Sequence, residues 1–371
     1  MPAISVLIKP ASGQCNMACE YCFYCDEAAQ RDQASYGMMT EETLRNVIRK
    51  TMLAAQGQIT YAFQGGEPSV RGLDFFRKAV EYQKQYNHHG IRVNNAFQTN
   101  GFALDEAWCR FFAENHFLVG LSVDGTRQIH DRYRHDKAGG PTFDRVLKAA
   151  ALMDRFRVDY NILTVVTAQT AENIGTIYRE YRKNGWNYQQ YIACLDPLEK
   201  ARGEAVYSLK PMAYGKFLTA LFEAWYLDWE KGRQPYIRQF ENYIGILLGV
   251  RPEACDQRGF CGVQCVVEAD GSVFPCDFYV LDEYKLGNFN TDKFADILGD
   301  PKVKEFVERS LRIDPACREC PHYDLCRGGC QRHREEAEGS AFYKNYFCEG
   351  FRYFFDHCRE KMEYVAKTLR R

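Results

Sequence analysis

The chain has 371 residues, 46% of them hydrophobic, with 48 basic against 49 acidic side chains and a formal net charge of -1. That length accommodates one large domain or a large and a small one, and the balanced charge supplies no field to attract nucleic-acid phosphates or an anionic membrane surface. No apolar run approaches the length of a membrane span and the opening "MPAISVLIK" is too short for a signal peptide, so a cytoplasmic protein with neither nucleic-acid nor membrane partners is expected.

The first predicted strand is "SVLIK", and four cysteines follow it within eleven residues: Cys15, Cys19, Cys22 and Cys25. Further strands are predicted at "ITYAFQ", "VNNAFQTN", "FLVGLSVD", "YNILTVV" and "YQQYIA", each a short run rich in β-branched or aromatic residues. Amphipathic helices are predicted between them, over 40–55, 72–86, 104–115, 142–156 and 172–185. Strands alternating with crossover helices make an α/β protein with a parallel sheet, and six strand candidates before the break at "CLDPLEKARGE" suit a partial (β/α)6 TIM-like barrel.

Beyond that break a long helix is predicted over 212–231, and then the composition changes. Nine cysteines lie from Cys255 to Cys348 among glycines, prolines and turn residues, with little apolar periodicity to build a core, so metals are expected to staple this part. A last amphipathic helix is predicted over 343–369. The expected domains are therefore 1–234, the partial barrel, and 235–371, the cysteine-rich domain with its terminal helix.

Sixteen cysteines in a protein kept in a reducing compartment point to metal or redox chemistry rather than to disulfides. Cys15, Cys19 and Cys22 form C-x3-C-x2-C in the loop after the first strand, at the carboxyl end where α/β sheets keep their chemistry. Three thiolates on a four-iron cubane leave one iron open to a ligand; a zinc knuckle or solvated thiols is the competing reading. "FQGGEP" places Gly65 and Gly66 after the second strand, where backbone can approach a ligand closely. "GLSVDG" places Ser122 at the end of the fourth, and "HDRYR" supplies Arg134, whose planar fork suits a carboxylate.

The three cysteines, with Tyr21 before the last of them, resemble the signature of the radical S-adenosylmethionine superfamily. That resemblance implies a four-iron cluster on Cys15, Cys19 and Cys22, with S-adenosylmethionine chelated to its open iron and cleaved reductively to a 5'-deoxyadenosyl radical. It further implies that Gly65, Gly66 and Glu67 meet the methionine amino group, Ser122 the ribose and Arg134 the carboxylate, with Tyr21 and Leu195 near the adenine. Cys25 falls outside the motif and is expected to be a bystander.

The spacing Cys261-x9-Gly271-x4-Cys276, then Cys317-x2-Cys320-x5-Cys326-x3-Cys330-x17-Cys348, resembles the SPASM extension of peptide-modifying members. It implies two auxiliary four-iron clusters, making three in all: one on Cys255, Cys261, Cys276 and Cys330, with Cys265 competing for the place of Cys255, and one on Cys317, Cys320, Cys326 and Cys348. Fully ligated clusters would serve electron transfer or structure.

The segments "LIKPASGQCN", "FQGGEPSVRGLDFFR", "QTNG", "VGLSVDGTRQIHD" and "NYFCEGFRYFF" are together similar to the anaerobic sulfatase-maturating enzymes, over nearly the whole chain. The similarity implies oxidation of a Cys or Ser in a Cys/Ser-x-Pro-x-Arg segment of a sulfatase polypeptide to Cα-formylglycine, with Asp277 in "FPCDFY" as the base and an external electron donor. From the residues alone Asp277 reads as a turn or capping carboxylate. Gln64, Gln98 and Asn100, at strand ends, could meet the substrate peptide or merely satisfy loop backbone. Another SPASM peptide modifier is the nearest alternative, although no leader-binding domain is expected ahead of Cys15; a non-enzymatic metal or electron carrier is the more distant one.

Overall fold

The computed structural model describes residues 4–337 and 340–370. Its strands in chain order are β1 (Ile4–Ile8), β2 (Gln58–Phe63), β3 (Arg92–Thr99), β4 (Phe117–Ser122), β5 (Tyr160–Val166), β6 (Tyr188–Ala193), β7 (Tyr236–Ile237), β8 (Val266–Val267), β9 (Ser272–Phe274), β10 (Gly287–Asn288), β11 (Arg334–Glu336) and β12 (Tyr343–Asn345). The six strands expected from the sequence are β1 to β6. They lie within a residue or two of the expected positions because each is a β-branched or aromatic run closed by a turn. The four two- and three-residue strands β7 to β10 were too short to leave a period.

The chain forms two compact units that interleave in sequence. The first takes residues up to Val123, then Asp131–Asn161 and Val263–Glu305; the second takes Asp124–His130, Ile162–Gly262 and the residues from Phe306 on. Division at residue 234 is thus a division by motif, whereas the chain returns to the first unit at Val263 to add β8, β9 and β10.

In the first unit β1, β2, β3 and β4 pair in parallel, β1 also pairs in parallel with β8, and β8, β9 and β10 run antiparallel. Connections between parallel strands need crossovers, and helices Glu41–Ala54, Leu73–Tyr86 and Glu106–Glu114 supply them. Thr40 and Asp105 cap the first and third by accepting from the N–H groups of Thr43 and Trp108. Phe63, Phe76, Phe97, Phe112 and Phe117 are buried together, with Phe76 and Phe97 centroids 5.0 Å apart and Phe97 and Phe112 4.9 Å apart. A buried phenylalanine of this kind is worth about 3–5 kcal/mol against alanine.

In the second unit β5, β6 and β7 pair in parallel, and β11 and β12 form a separate hairpin. The long helix spans Pro211–Trp229, started by proline in its first turn, and the terminal helix spans Cys348–Leu369, five residues later than the sequence suggests because Tyr343–Asn345 is β12. The two helices meet at Gly215 and Gly350: a Cβ on Gly350 would lie 2.1 Å from the Pro211 carbonyl oxygen, and one on Gly215 would lie 2.5 Å from that of Gly350. Among the described residues no helix is long and apolar enough to cross a membrane. Gly350→Ala should cost about 1–3 kcal/mol by overpacking this crossing, read as a lowered thermal midpoint, whereas alanine at exposed Gly299 meets no neighbour within 4 Å.

Candidate functional site

Parallel strands in register end on one edge. The pairings Ile8 with Phe63, Phe63 with Phe97, and Thr99 with Leu121 therefore bring the loops after β1, β2, β3 and β4 to a common rim in the first unit. The Cys15 loop, Gln64 to Glu67, Asn100 and Ser122 all lie on it.

Gly65 and Gly66 have φ of 93° and 53°, which side chains rarely tolerate, and a Cβ on Gly66 would sit 2.1 Å from the Gln14 carbonyl oxygen. The same carbonyl accepts the Glu67 N–H at 2.8 Å, so the glycine turn rests directly on the cysteine loop. Glu67 ties the rim together. It is 1% exposed, its Oε1 accepts from the Ser69 N–H at 3.1 Å and the Thr99 hydroxyl at 2.8 Å, and its Oε2 accepts from the Asn100 N–H at 2.8 Å. Its carboxylate is therefore engaged in building the rim, and burial raises its pKa against the effect of those donors.

Two of the polar strand-end residues are engaged in the same way. Asn100 Nδ2 donates to Asn16 Oδ1 at 2.8 Å and lies 3.6 Å from Cys15 Sγ, and Gln98 Nε2 donates to Ser122 Oγ at 3.0 Å.

Cys15, Cys19 and Cys22 are free, partly buried thiols, and the Cys15 thiol is raised to about 12 chiefly by burial, with the charges of Cys19 and Cys22 adding to the effect. Cys22 is instead lowered to about 6, first by a hydrogen bond from the Cys25 thiol. Cys25, outside the motif, also donates its N–H to the Cys22 carbonyl at 3.1 Å. The Met17 N–H donates to Cys15 Sγ at 3.3 Å. Arg134 is 7% exposed, 4.0 Å from Cys19 Sγ and 5.5 Å from the ring centroid of Tyr21, which packs edge-on against Tyr133.

Asp277 follows β9 and is buried. Its Oδ2 accepts from the Tyr24 hydroxyl at 2.6 Å and from Gln64 Nε2 at 2.9 Å, while Gln64 Nε2 also donates to the Tyr24 oxygen at 2.8 Å. Its Oδ1 is buried with no hydrogen-bond partner among the described residues. Burial raises the Asp277 pKa, opposed by the Lys9 charge and the Tyr24 hydrogen bond. Sequence reading missed Tyr24; its only signal was a second aromatic just past the last motif cysteine.

In the second unit the thiol of Cys326 feels the charges of Cys348, Cys317 and Cys320, and that of Cys330 feels Cys255 and Cys261. Cys265 lies in the first unit, buried, its thiol raised to about 12 by burial. Cys276 also belongs to the first unit, and Leu195, buried after β6, to the second.

The residues fit the groups implied. The donors are free thiols, partly buried except for exposed Cys255, and Gln331, beside Cys330, buries both amide atoms without a partner among the described residues. No three His, Cys, Asp or Glu side chains among the described residues converge on a single-ion site, whereas a cubane takes its thiolates spread over separate irons.

The Radical SAM superfamily model matches residues 10–193, and SPASM, an iron-sulfur cluster-binding domain, matches 260–321. A cysteine-type anaerobic sulfatase-maturating enzyme of Clostridium novyi is 43% identical over 100% of this chain and 99% of its own. The chain belongs to the anaerobic sulfatase-maturating enzymes. It is a radical S-adenosylmethionine enzyme with an α/β domain and a cysteine-rich SPASM region. A serine-type member from Bacteroides thetaiotaomicron is 31% identical over 98% of this chain and 91% of that one. The solved structure of native anSMEcpe with bound AdoMet and Cp18Cys peptide matches with TM-score 0.94 at 41% identity, covering 99% of this chain and 100% of that chain.

Gly66→Ala should abolish S-adenosylmethionine binding by forcing the Gln14 carbonyl away, and Ser122→Ala or Arg134→Ala should weaken it about tenfold, as for a lost hydrogen bond to a charged ligand. Equilibrium dialysis of the reconstituted protein checks this; unchanged affinity in all three would remove these residues from the cofactor site.

Proposed function

We propose that this enzyme oxidises the cysteine of a Cys-x-Pro-x-Arg segment in a sulfatase polypeptide to Cα-formylglycine, with Asp277 as the base. The observation that carries the reading is the asymmetry of Asp277: one carboxylate oxygen is held by Tyr24 and Gln64, and the other is buried and unpartnered. A carboxylate held in this way has one lone-pair edge left to accept a proton.

Cys15, Cys19 and Cys22 would hold the cluster that binds S-adenosylmethionine, a pair that would supply radical chemistry at the substrate Cβ, and the auxiliary clusters would supply an acceptor for the second electron. Asp277 Oδ1 takes the thiol proton. Its burial strengthens its hold on that proton, and the donors on Oδ2 keep the carboxyl plane fixed through the transfer. Loss of Cβ hydrogen, thiol proton and one electron leaves a thioaldehyde, which water converts to the aldehyde with release of hydrogen sulfide. A serine substrate would give the aldehyde directly.

Cysteine is favoured as substrate because the cysteine-type relatives are 43% and 41% identical and the serine-type relatives 31% and 30%. Within the second unit, Cys317, Cys320, Cys326 and Cys348 hold one auxiliary cluster, and Cys255 groups with Cys261 and Cys330 toward another. An external donor supplies the first electron, and the cytoplasm suits a protein that must keep its thiols reduced. The domain reading that accompanies this function is 1–234 for radical generation and 235–371 for the auxiliary clusters.

The test is mass spectrometry of Cys and Ser sulfatase-motif peptides after anaerobic incubation with reconstituted enzyme, S-adenosylmethionine and a reductant. Aldehyde from the Cys peptide is expected. Asp277→Asn should lose about 100-fold or more in aldehyde formation, as for removal of a general base, while cofactor cleavage persists. Cofactor cleavage without oxidation of either peptide would instead indicate a different peptide modification.

A further inference from the structure

Lys9 is a lysine 1% exposed, and the reaction as derived makes no use of it. Interior lysines are rare and are retained only with partners. Its ammonium lies 2.9 Å from Glu268 Oε1, an oxygen that also takes Arg31 Nη1 at 2.8 Å, and all three side chains are 0 to 2% exposed. The Lys9 N–H donates to the Val267 carbonyl at 2.8 Å, which fixes its backbone beside that of Glu268. The anchor is thus rigid at both ends of the side chain.

Between those ends Lys9 meets the Tyr24 ring and the backbone next to Gln64. Its ammonium lies 4.9 Å from the ring centroid of Tyr24, whose hydroxyl donates to Asp277 Oδ2. Its stem runs beneath Gly65, where an added Cβ would meet Lys9 Cγ at 2.6 Å and Cε at 2.7 Å. Gly65 directly follows Gln64, the second donor to Asp277 Oδ2. A hydrophobic residue at position 9 could fill the same space, but it could neither attract the ring face nor be pinned by Glu268.

We propose that Lys9 is a positioning residue for the base: anchored by Glu268, it fixes the Tyr24 ring with its ammonium and the Gln64–Gly65 turn with its stem, and so aims Asp277. This rests on the reading of Asp277 as the base. Misaimed by a small distance, Asp277 would leave cofactor cleavage intact and spoil only the step that follows it.

The experiment measures aldehyde formed per S-adenosylmethionine cleaved, and the peptide KM, with a Cys sulfatase-motif peptide and reconstituted wild type, Lys9→Met, Lys9→Gln, Lys9→Arg and Asp277→Asn. Lys9→Met should lower that ratio about tenfold with cofactor cleavage and peptide KM within about twofold, and Lys9→Arg should restore most of it. Both neutral variants leave Glu268 paired with Arg31, and Lys9→Gln also keeps a donor for Glu268, so it should fold and remain uncoupled. An unchanged ratio in Lys9→Met, or in Lys9→Gln, overturns the proposal. If Lys9→Met fails to fold, Lys9→Gln decides by the same ratio. Full oxidation by Asp277→Asn would remove the base itself, whereas loss there with coupling intact in the Lys9 variants removes only the role of Lys9.

Discussion

The site depends on a closed ring of hydrogen bonds that ties three strand-end loops together. The Gln14 carbonyl accepts the Glu67 N–H, the Glu67 carboxylate accepts from Thr99 and the Asn100 N–H, and the Asn100 side chain donates to Asn16 beside Cys15. The ring closes only because Gly66 lets the turn after β2 lie against the loop after β1. Glu67 sits at its centre fully buried, so each of its bonds is made where water cannot compete and each is costly to lose, about 1–3 kcal/mol for a stranded donor.

On one side this ring holds the cysteine loop, and on the other the strand ends run on to the base. Lys9 continues β1 and Gln64 continues β2, and the return of the chain through β8 and β9 brings Glu268 and Asp277 to them. The result is a pocket of charge with Lys9 and Arg31 against Glu268 and Asp277, in which Glu268 pairs with both cations and Asp277 keeps an oxygen open. A base that works beside a radical benefits from such a dry, fixed setting, because reorientation at the moment of reaction would cost rate.

Much of this was legible in the chain before folding. β1 to β6 announced themselves as β-branched or aromatic runs, and Gly65 and Gly66 as a place where side chains cannot go. The cysteine spacings carried the cluster chemistry. What stayed hidden was pairing across sequence: Tyr24 and Asp277 are 253 residues apart, and nothing local to either says that one holds the other. The protein partners of Glu67 were hidden in the same way: its neighbours in sequence suggested a ligand contact, and Thr99 and Asn100 reach its carboxylate from the end of the next strand. Gln64 looked like an ordinary strand-end amide until β9 delivered a carboxylate to it. The short strands β8 to β10 depend wholly on β1 for their place, so no periodicity of their own could reveal them.

The most direct measurement is an anaerobic crystal structure of the reconstituted enzyme with S-adenosylmethionine and a Cys sulfatase-motif peptide. The substrate thiol is expected within hydrogen-bond distance of Asp277 Oδ1, with Tyr24 and Gln64 still on Oδ2 and the substrate Cβ turned toward the cofactor's 5' carbon. A thiol bound away from Asp277, or an Oδ1 closed off by another protein group, would contradict the account.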